Sequence, residues 1–224
     1  RANWLLGNLE LAMNDFDKAI ELNSEQVSAY IYRGIIHTSL GNLKDAIEDF
    51  QSALGIEADD YAALINLAIA YRNMKNFDAA ISSLDQAINL YPNELEAYYH
   101  RGILSQFRGE YIEALDDYMK AFALDEEDAA LHTVLFSVHM KLENNDNAQT
   151  HEKAARELFE KAKEDYYNRA CLESLSGNID EGLTLFKIAM EKVQESKMWA
   201  KEDPDLENLR ADTRFWEIIG EEMP

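Results

Sequence analysis

Five histidines, one cysteine and a large excess of carboxylates are the residues of this chain with chemistry to offer. His132 and His139 share a helical face at seven-residue spacing, with Glu143 one turn further on. Helices that hold zinc place their ligands three or four residues apart so that both reach one ion, and this wider spacing does not meet that need. No phosphate-cradling glycine loop, zinc-protease helix or nucleophile elbow occurs. Carboxylate pairs such as Asp116 with Asp117 and Glu126 with Glu127 read as solvated surface in so acidic a chain. Cys171, between Ala170 and Leu172, has no basic neighbour on its face to favour a thiolate, so it reads as a small apolar filler. The expectation is a protein that is not an enzyme, with no metal and no cofactor.

The elements that position these residues follow from composition and period. The chain has 224 residues, and its 43 Asp and Glu outnumber 21 Lys and Arg to leave a formal charge of −22. A nucleic-acid grip needs a basic surface, so that class is excluded as a leading idea. With 47% hydrophobic residues, only 3 Pro and 9 Gly, the chain has enough apolar material for a core and favours helix. No run of eighteen apolar residues and no basic-then-apolar leader occurs, so membrane insertion is not expected of this segment. A lone cysteine fits a reducing, cytoplasmic setting.

A fixed period of 34 residues runs through the chain. Ala12, Ala46, Ala80, Ala114 and Ala148 form one column, continued by Gly182. Ala19, Ala53, Ala87, Ala121, Ala155 and Ala189 form a second. Phe16, Phe50, Leu84, Tyr118 and Phe186 form a third, broken by Glu152; Gly7, Gly41, Gly109 and Gly177 form a fourth, with Lys75 and Glu143 as departures. Apolar residues recur at three and four residue spacing on both sides of the glycine column, so each unit reads as two helices joined by a tight turn. Such a unit cannot bury its apolar face alone and must stack on its neighbours.

The unit from Tyr61 to Glu94 resembles a tetratricopeptide repeat almost position for position. Leu64, Leu67, Ala68 and Tyr71 lie on its first helix, Phe77, Ala80, Leu84 and Ala87 on its second, and Leu90 and Pro92 follow. The resemblance implies an all-α, right-handed superhelical solenoid with C-terminal capping helices. Its expected divisions are a partial first repeat at 1–26, repeats at 27–60, 61–94 and 95–128, an irregular repeat at 129–162, a sixth at 163–198, and capping helices at 199–224. In the irregular unit Phe136 replaces a small residue and Glu152 an aromatic, so its packing is expected to differ. No Gly or Pro lies between Asp146 and Ser176, and the second helix of that unit is expected to run on toward the next. Asp203 and Pro204 are a helix-start signal. Arg1 falls inside a first helix by this register, which suggests that a longer array extends upstream.

The resemblance also implies a concave groove lined by the second, fifth, ninth and twelfth places of each unit. It assigns peptide binding to Ile31, Ile35, Thr38, Ile65, Ile69, Arg72, Tyr99, Ile103 and Gln106, with Asn73 beside them. The bland alternative is that the isoleucines are buried between first helices and bind nothing. Some relatives clamp a chaperone's terminal carboxylate with basic groove residues, and that basic set is missing here. The expected partner is another protein offering an apolar or basic segment, since long-range repulsion disfavours an acidic one; self-association into a homo-oligomer is the alternative. Arg33 with Asp49, and Arg101 with Asp117, are expected to form salt bridges between the helices of a unit, and the intervening unit carries Leu67 and Ser83 instead.

Overall fold

A computed structural model describes residues 8–192 and 199–223. Gly7 of the glycine column, the end of the expected sixth repeat at 193–198 and residue 224 lie outside the described residues. All regular structure among the described residues is helical. The helices are α1 (Leu9–Leu22), α2 (Val27–Ser39), α3 (Leu43–Ile56), α4 (Tyr61–Asn73), α5 (Phe77–Leu90), α6 (Leu95–Phe107) and α7 (Tyr111–Phe122). There follow α8 (Ala129–Lys141), α9 (Asn145–Phe159), α10 (Tyr166–Leu175) and α11 (Ile179–Lys192). A 3-10 turn (Pro204–Leu206), α12 (Glu207–Arg210) and α13 (Thr213–Ile219) close the chain. None of these helices is long and apolar enough to cross a membrane. The chain divides after His100 into two compact units.

The turn inside each hairpin is set by one left-handed residue. Gly41, Gly109 and Gly177 take φ of 77°, 75° and 79°, where a residue without Cβ meets no steric penalty. The two departures from the glycine column keep the conformation: Lys75 has φ 61° and Glu143 φ 57°. Their side chains therefore carry a backbone cost that the glycines avoid, about 1 kcal/mol each. Glu143→Gly is expected to raise stability by up to about that amount, reduced by the greater freedom of glycine in the unfolded chain, as measured by urea unfolding.

Three of the helix starts between hairpins are capped by aspartates. The Asp60 carboxylate accepts from the Ala63 amide at 2.7 Å, and Asp128 accepts from the amides of Ala130 and Leu131 at 2.7 and 3.1 Å. The same device corrects one expectation, because α9 does not run on into the next hairpin. It stops at Phe159, and Asp165 opens α10 by accepting from the Asn168 amide at 3.2 Å. A turn at 160–165, closed by an aspartate cap on the next helix, separates the two where glycine and proline are absent.

In the first unit, the small and large columns interlock. Gly34 faces Phe50 and Ala68 takes the register of Gly34 opposite Leu84, and all four side-chain sites are buried. Ala46, Phe50 and Ala53 of α3 form one cluster with Ile31 of α2 and with Ala63, Leu67 and Ala70 of α4. Phe16 of α1 stacks on Tyr32 of α2 at 5.6 Å between ring centres. The expected ion pair is present: Arg33 donates from Nε and Nη2 to the Asp49 carboxylate at 2.9 and 2.6 Å, and from Nη1 to Asp17 at 2.7 Å.

In the second unit, Gly102 faces the Tyr118 ring, and Arg101 donates from Nε and Nη2 to Asp117 at 2.8 and 2.7 Å. The irregular hairpin reverses the size order. Phe136 is buried with Ala148, Ala155, Phe159 and Leu172, while Glu152 is drawn to Arg156 Nη2 at 3.0 Å and to the Ser176 hydroxyl at 2.9 Å. A large residue on the first helix is thus matched by a side chain held out of the core on the second. Beyond residue 199, Leu206, Leu209, Phe215 and Ile219 cover Ala170, Leu183, Phe186 and Ala189, with the Phe186 and Phe215 rings stacked at 4.6 Å. This is the C-terminal cap.

Candidate functional site

Helices α2 and α4 present the assigned groove positions of the first unit, and neither contains an Asp or Glu. In a chain of charge −22 the carboxylates have been kept off these helices. Ile35, Thr38, Ile69, Arg72, Asn73 and Tyr99 are half-buried, so each retains some surface toward solvent. Thr38 donates its hydroxyl to the Gly34 carbonyl at 2.9 Å, and Arg72 Nη2 reaches Asn73 Oδ1 at 3.4 Å. Glu96 of α6 is the carboxylate on this side, and His100 Nε2 lies 3.8 Å from it. Burial pushes the His100 imidazole below its ordinary range, with Glu96 opposing and Arg72 assisting.

The remaining assigned positions are interior. Ile31, Ile65, Ile103 and Gln106 expose 8%, 2%, 9% and 4% of their surface, so they offer little to a guest. Ile31 belongs to the apolar cluster around Phe50. For these three isoleucines the bland alternative describes their surroundings.

In the second unit the equivalent positions face the chain's own C-terminal segment. Gln106 and Ser137 both reach Asp205 Oδ1, from Nε2 at 2.9 Å and from Oγ at 2.5 Å. Gln106 is oriented for this by Tyr118, whose hydroxyl donates to its Oε1 at 2.9 Å. Tyr167 donates to Asp203 Oδ2 at 2.8 Å, and Cys171 Sγ lies 3.9 Å from the same oxygen. The Trp199 and Phe107 rings meet at 5.8 Å, and Asn208 donates to the Ser174 carbonyl at 2.8 Å. Sequence reasoning missed this contact. Asp203, Pro204, Asp205 and Leu206 read as a helix start, and the pairing of Gln106 with Asp205 spans 99 residues, a separation that carries no periodic signal.

Cys171 is 3% exposed, and burial followed by the charges of Asp203 and Asp205 raises its thiol well above the ordinary value. It is an unreactive filler in this state. Among the described residues no group of three or more His, Cys, Asp or Glu has the arrangement to hold a metal ion.

The histidines do form a cluster, through a partner that sequence spacing did not supply. His132 on α8 and His151 on α9 approach through their Nδ1 atoms at 2.9 Å, and His139 stacks on His151 at 5.5 Å. His132 Nε2 lies 3.1 Å from the Glu126 carbonyl, which requires a proton on Nε2; the His132 Nδ1 lone pair then accepts from His151 Nδ1. The Phe122 ring of α7 packs edge-on against both rings, at 5.1 and 5.7 Å. Burial first, then the neighbouring His132 and His139, pull His151 down to about 4. Folding therefore favours the neutral ring, and the unfolded chain binds the extra proton between pH 6.5 and about 4. Stability from this group is present above pH 6.5 and is lost as pH falls through that window. Thermal unfolding of His151→Leu is expected to show a weaker fall in melting temperature from about pH 6.5 to pH 4.5 than the parent chain.

With this geometry in place, the similarity to known proteins is one of repeats and fold. Sequence profiles described as tetratricopeptide repeat match residues 1–63, 37–102 and 95–128. No curated protein matches by sequence. A solved structure of MamA superposes with a TM-score of 0.65 at 22% identity, over 72% of this chain and 95% of that one. A tetratricopeptide repeat protein from Parabacteroides merdae does so with a TM-score of 0.65 at 19% identity, over 98% of this chain and 90% of that one. A thermophilic tetratricopeptide protein from Thermus thermophilus gives 0.62 at 20%, over 77% and 92%. At these identities the likeness is to the all-α repeat fold alone.

Proposed function

We propose, from the premise that this chain belongs to the tetratricopeptide repeat family, that it works as a non-enzymatic protein-interaction scaffold whose first unit docks a segment of a partner protein. The observation that carries this reading is the placement of half-buried apolar side chains on two acid-free helices, Ile35 on α2 and Ile69 on α4, joined by Tyr99 on α6, whose one carboxylate, Glu96, lies near His100. An apolar strip whose first two helices carry no carboxylate in a strongly acidic protein suits an apolar or basic segment, which the long-range field also draws in. Arg72, Asn73 and Thr38 are the polar groups of this face that set its register. Ile31 and Ile65, buried in the same unit, support this face from within.

The test is a peptide selection on the full chain, followed by binding of the selected peptides to Ile69→Asp combined with Tyr99→Ala. Both positions are half-buried, so the variant is expected to melt close to the parent while losing affinity at least about tenfold. Ile112→Asp, at a position 71% exposed on α7, is the control and should bind as the parent does. Unchanged affinity in the folded double variant would remove this face from the reading. Self-association predicts a mass that grows with concentration in light scattering, whereas the docking reading holds for a monomer.

A further inference from the structure

Residues 199–206 lie on the inner wall of the second unit, and two carboxylates fasten them there. Asp203 and Asp205 are 6% and 5% exposed, one residue apart in the chain. Asp205 meets Gln106 of α6 and Ser137 of α8; Asp203 meets Tyr167 of α10 and the Trp199 indole. The segment is also held by its own contacts: Asp203 Oδ1 accepts from the Asp205 amide at 3.0 Å, and Arg210 donates to the carbonyls of Ala200 and Asp203.

What the wall offers these carboxylates is almost entirely neutral. Gln106 and Phe107 come from α6, Ser137 from α8, and Tyr167 and Cys171 from α10. The cations acting on the pair are Arg210, whose guanidinium donates to carbonyls, and Lys141 of α8, which is exposed and salt-bridged to Glu207 at 3.2 Å. Asp165, ahead of α10, adds a further negative charge felt at Cys171. Two ionised carboxylates side by side in such a place repel each other and lack a dedicated counter-charge.

We infer that residues 201–205, between the apolar anchors Ala200 and Leu206, are a proton-controlled latch, closed over Gln106, Ser137, Tyr167 and Cys171 while Asp205 holds a proton and lifted from them when that proton is lost. The cap stays seated, because Leu209, Phe215 and Ile219 are buried on α10 and α11 through apolar contact that no titration touches. Burial and the neighbouring Asp203 push Asp205 from 3.8 up to about 7, which places the transition near neutrality. The sign is that of a raised acid: docking is favoured in full below about pH 4 and weakens as pH rises through about 7. The inner wall of the second unit is then closed in mildly acid conditions and open in mildly alkaline ones. This inference stands independently of the partner docking proposed for the first unit.

Cys171 is the sole cysteine of the chain and lies beneath Asp203, so its labelling by a maleimide reports the latch in the intact chain. At about pH 8 the parent chain is expected to label about tenfold faster than Asp205→Asn, which is neutral at every pH, while at about pH 6 the two rates converge. Electrostatics alone gives the opposite order, since removing the Asp205 charge eases thiolate formation at Cys171. Equal rates at pH 8, or a faster variant, would overturn the latch. If circular dichroism shows the variant unfolded, hydrogen exchange on the parent chain decides. Amides of 201–203 and 205 must lose protection between pH 6 and 8 relative to those of α11, and a parallel response of both segments rejects the inference.

Discussion

Asp49→Ala is expected to destabilise the protein by about 3 kcal/mol in urea unfolding, among the largest losses available from one side chain. Asp49 is buried on α3 with 6% of its side chain exposed, and it accepts two bonds from the Arg33 guanidinium, itself 22% exposed. That guanidinium is held even more firmly in its charged form by Asp49 and then Asp17, with burial opposing. Truncating the carboxylate leaves the cation partly desolvated, with only Asp17 to answer it. The next hairpin shows how the position is filled without charge: Leu67 and Ser83 occupy the same register, both buried, and Ser83 donates to its own helix at the Ala79 carbonyl at 3.1 Å. The double change Arg33→Leu with Asp49→Ser is therefore expected to recover most of the loss, since a neutral pair removes both the attraction and its desolvation cost. If the double variant is as unstable as Asp49→Ala, the charge pair is not the origin of the effect.

Gly34→Leu is expected to cost about 3 kcal/mol, because a Cβ at Gly34 alone would sit 2.7 Å from Phe50 Cε1 and 2.8 Å from Cζ. Phe50 has no exposed surface and no room to withdraw. Gly34→Ala should cost less, as the helix gains up to about 1 kcal/mol of propensity. Combining Gly34→Ala with Phe50→Leu copies Ala68 and Leu84 of the next hairpin, and its stability is expected to exceed that of Gly34→Ala alone. Denaturation of the three variants checks the order.

These two sites show why so much of the fold was legible. The 34-residue columns expose, within one sequence, the pairs that meet across each hairpin: Gly34 with Phe50, Ala68 with Leu84, Gly102 with Tyr118. The irregular hairpin obeys the same volume rule through Phe136 and Glu152, although which side chain moved outward needed the structure. The left-handed turns at Lys75 and Glu143 were implied by their column and contradicted by their residue type, and the column prevailed because flanking hairpin packing outweighs about 1 kcal/mol of backbone cost.

The candidate site was legible only in part. Position in the repeat assigned Ile35, Ile69 and Ile65 to one face, yet Ile69 remains half-buried while Ile65 is enclosed. Exposure depends on the neighbouring helix, which a position within one unit does not specify. His151 escaped notice because it belongs to α9 and meets His132 only when the two helices pack.

By itself the sequence determined the helical hairpins, their length, the small-against-large pairing and the interhelical ion pairs, because each depends on residues 34 or 16 apart that recur and can be compared with their own copies. Only the tertiary structure decided that Asp205 meets Gln106 and Ser137 and that Asp203 meets Tyr167. Those contacts occur once, join residues as far apart as Gln106 and Asp205, and depend on where a non-repeating segment finds apolar surface to cover and donors to satisfy its carboxylates.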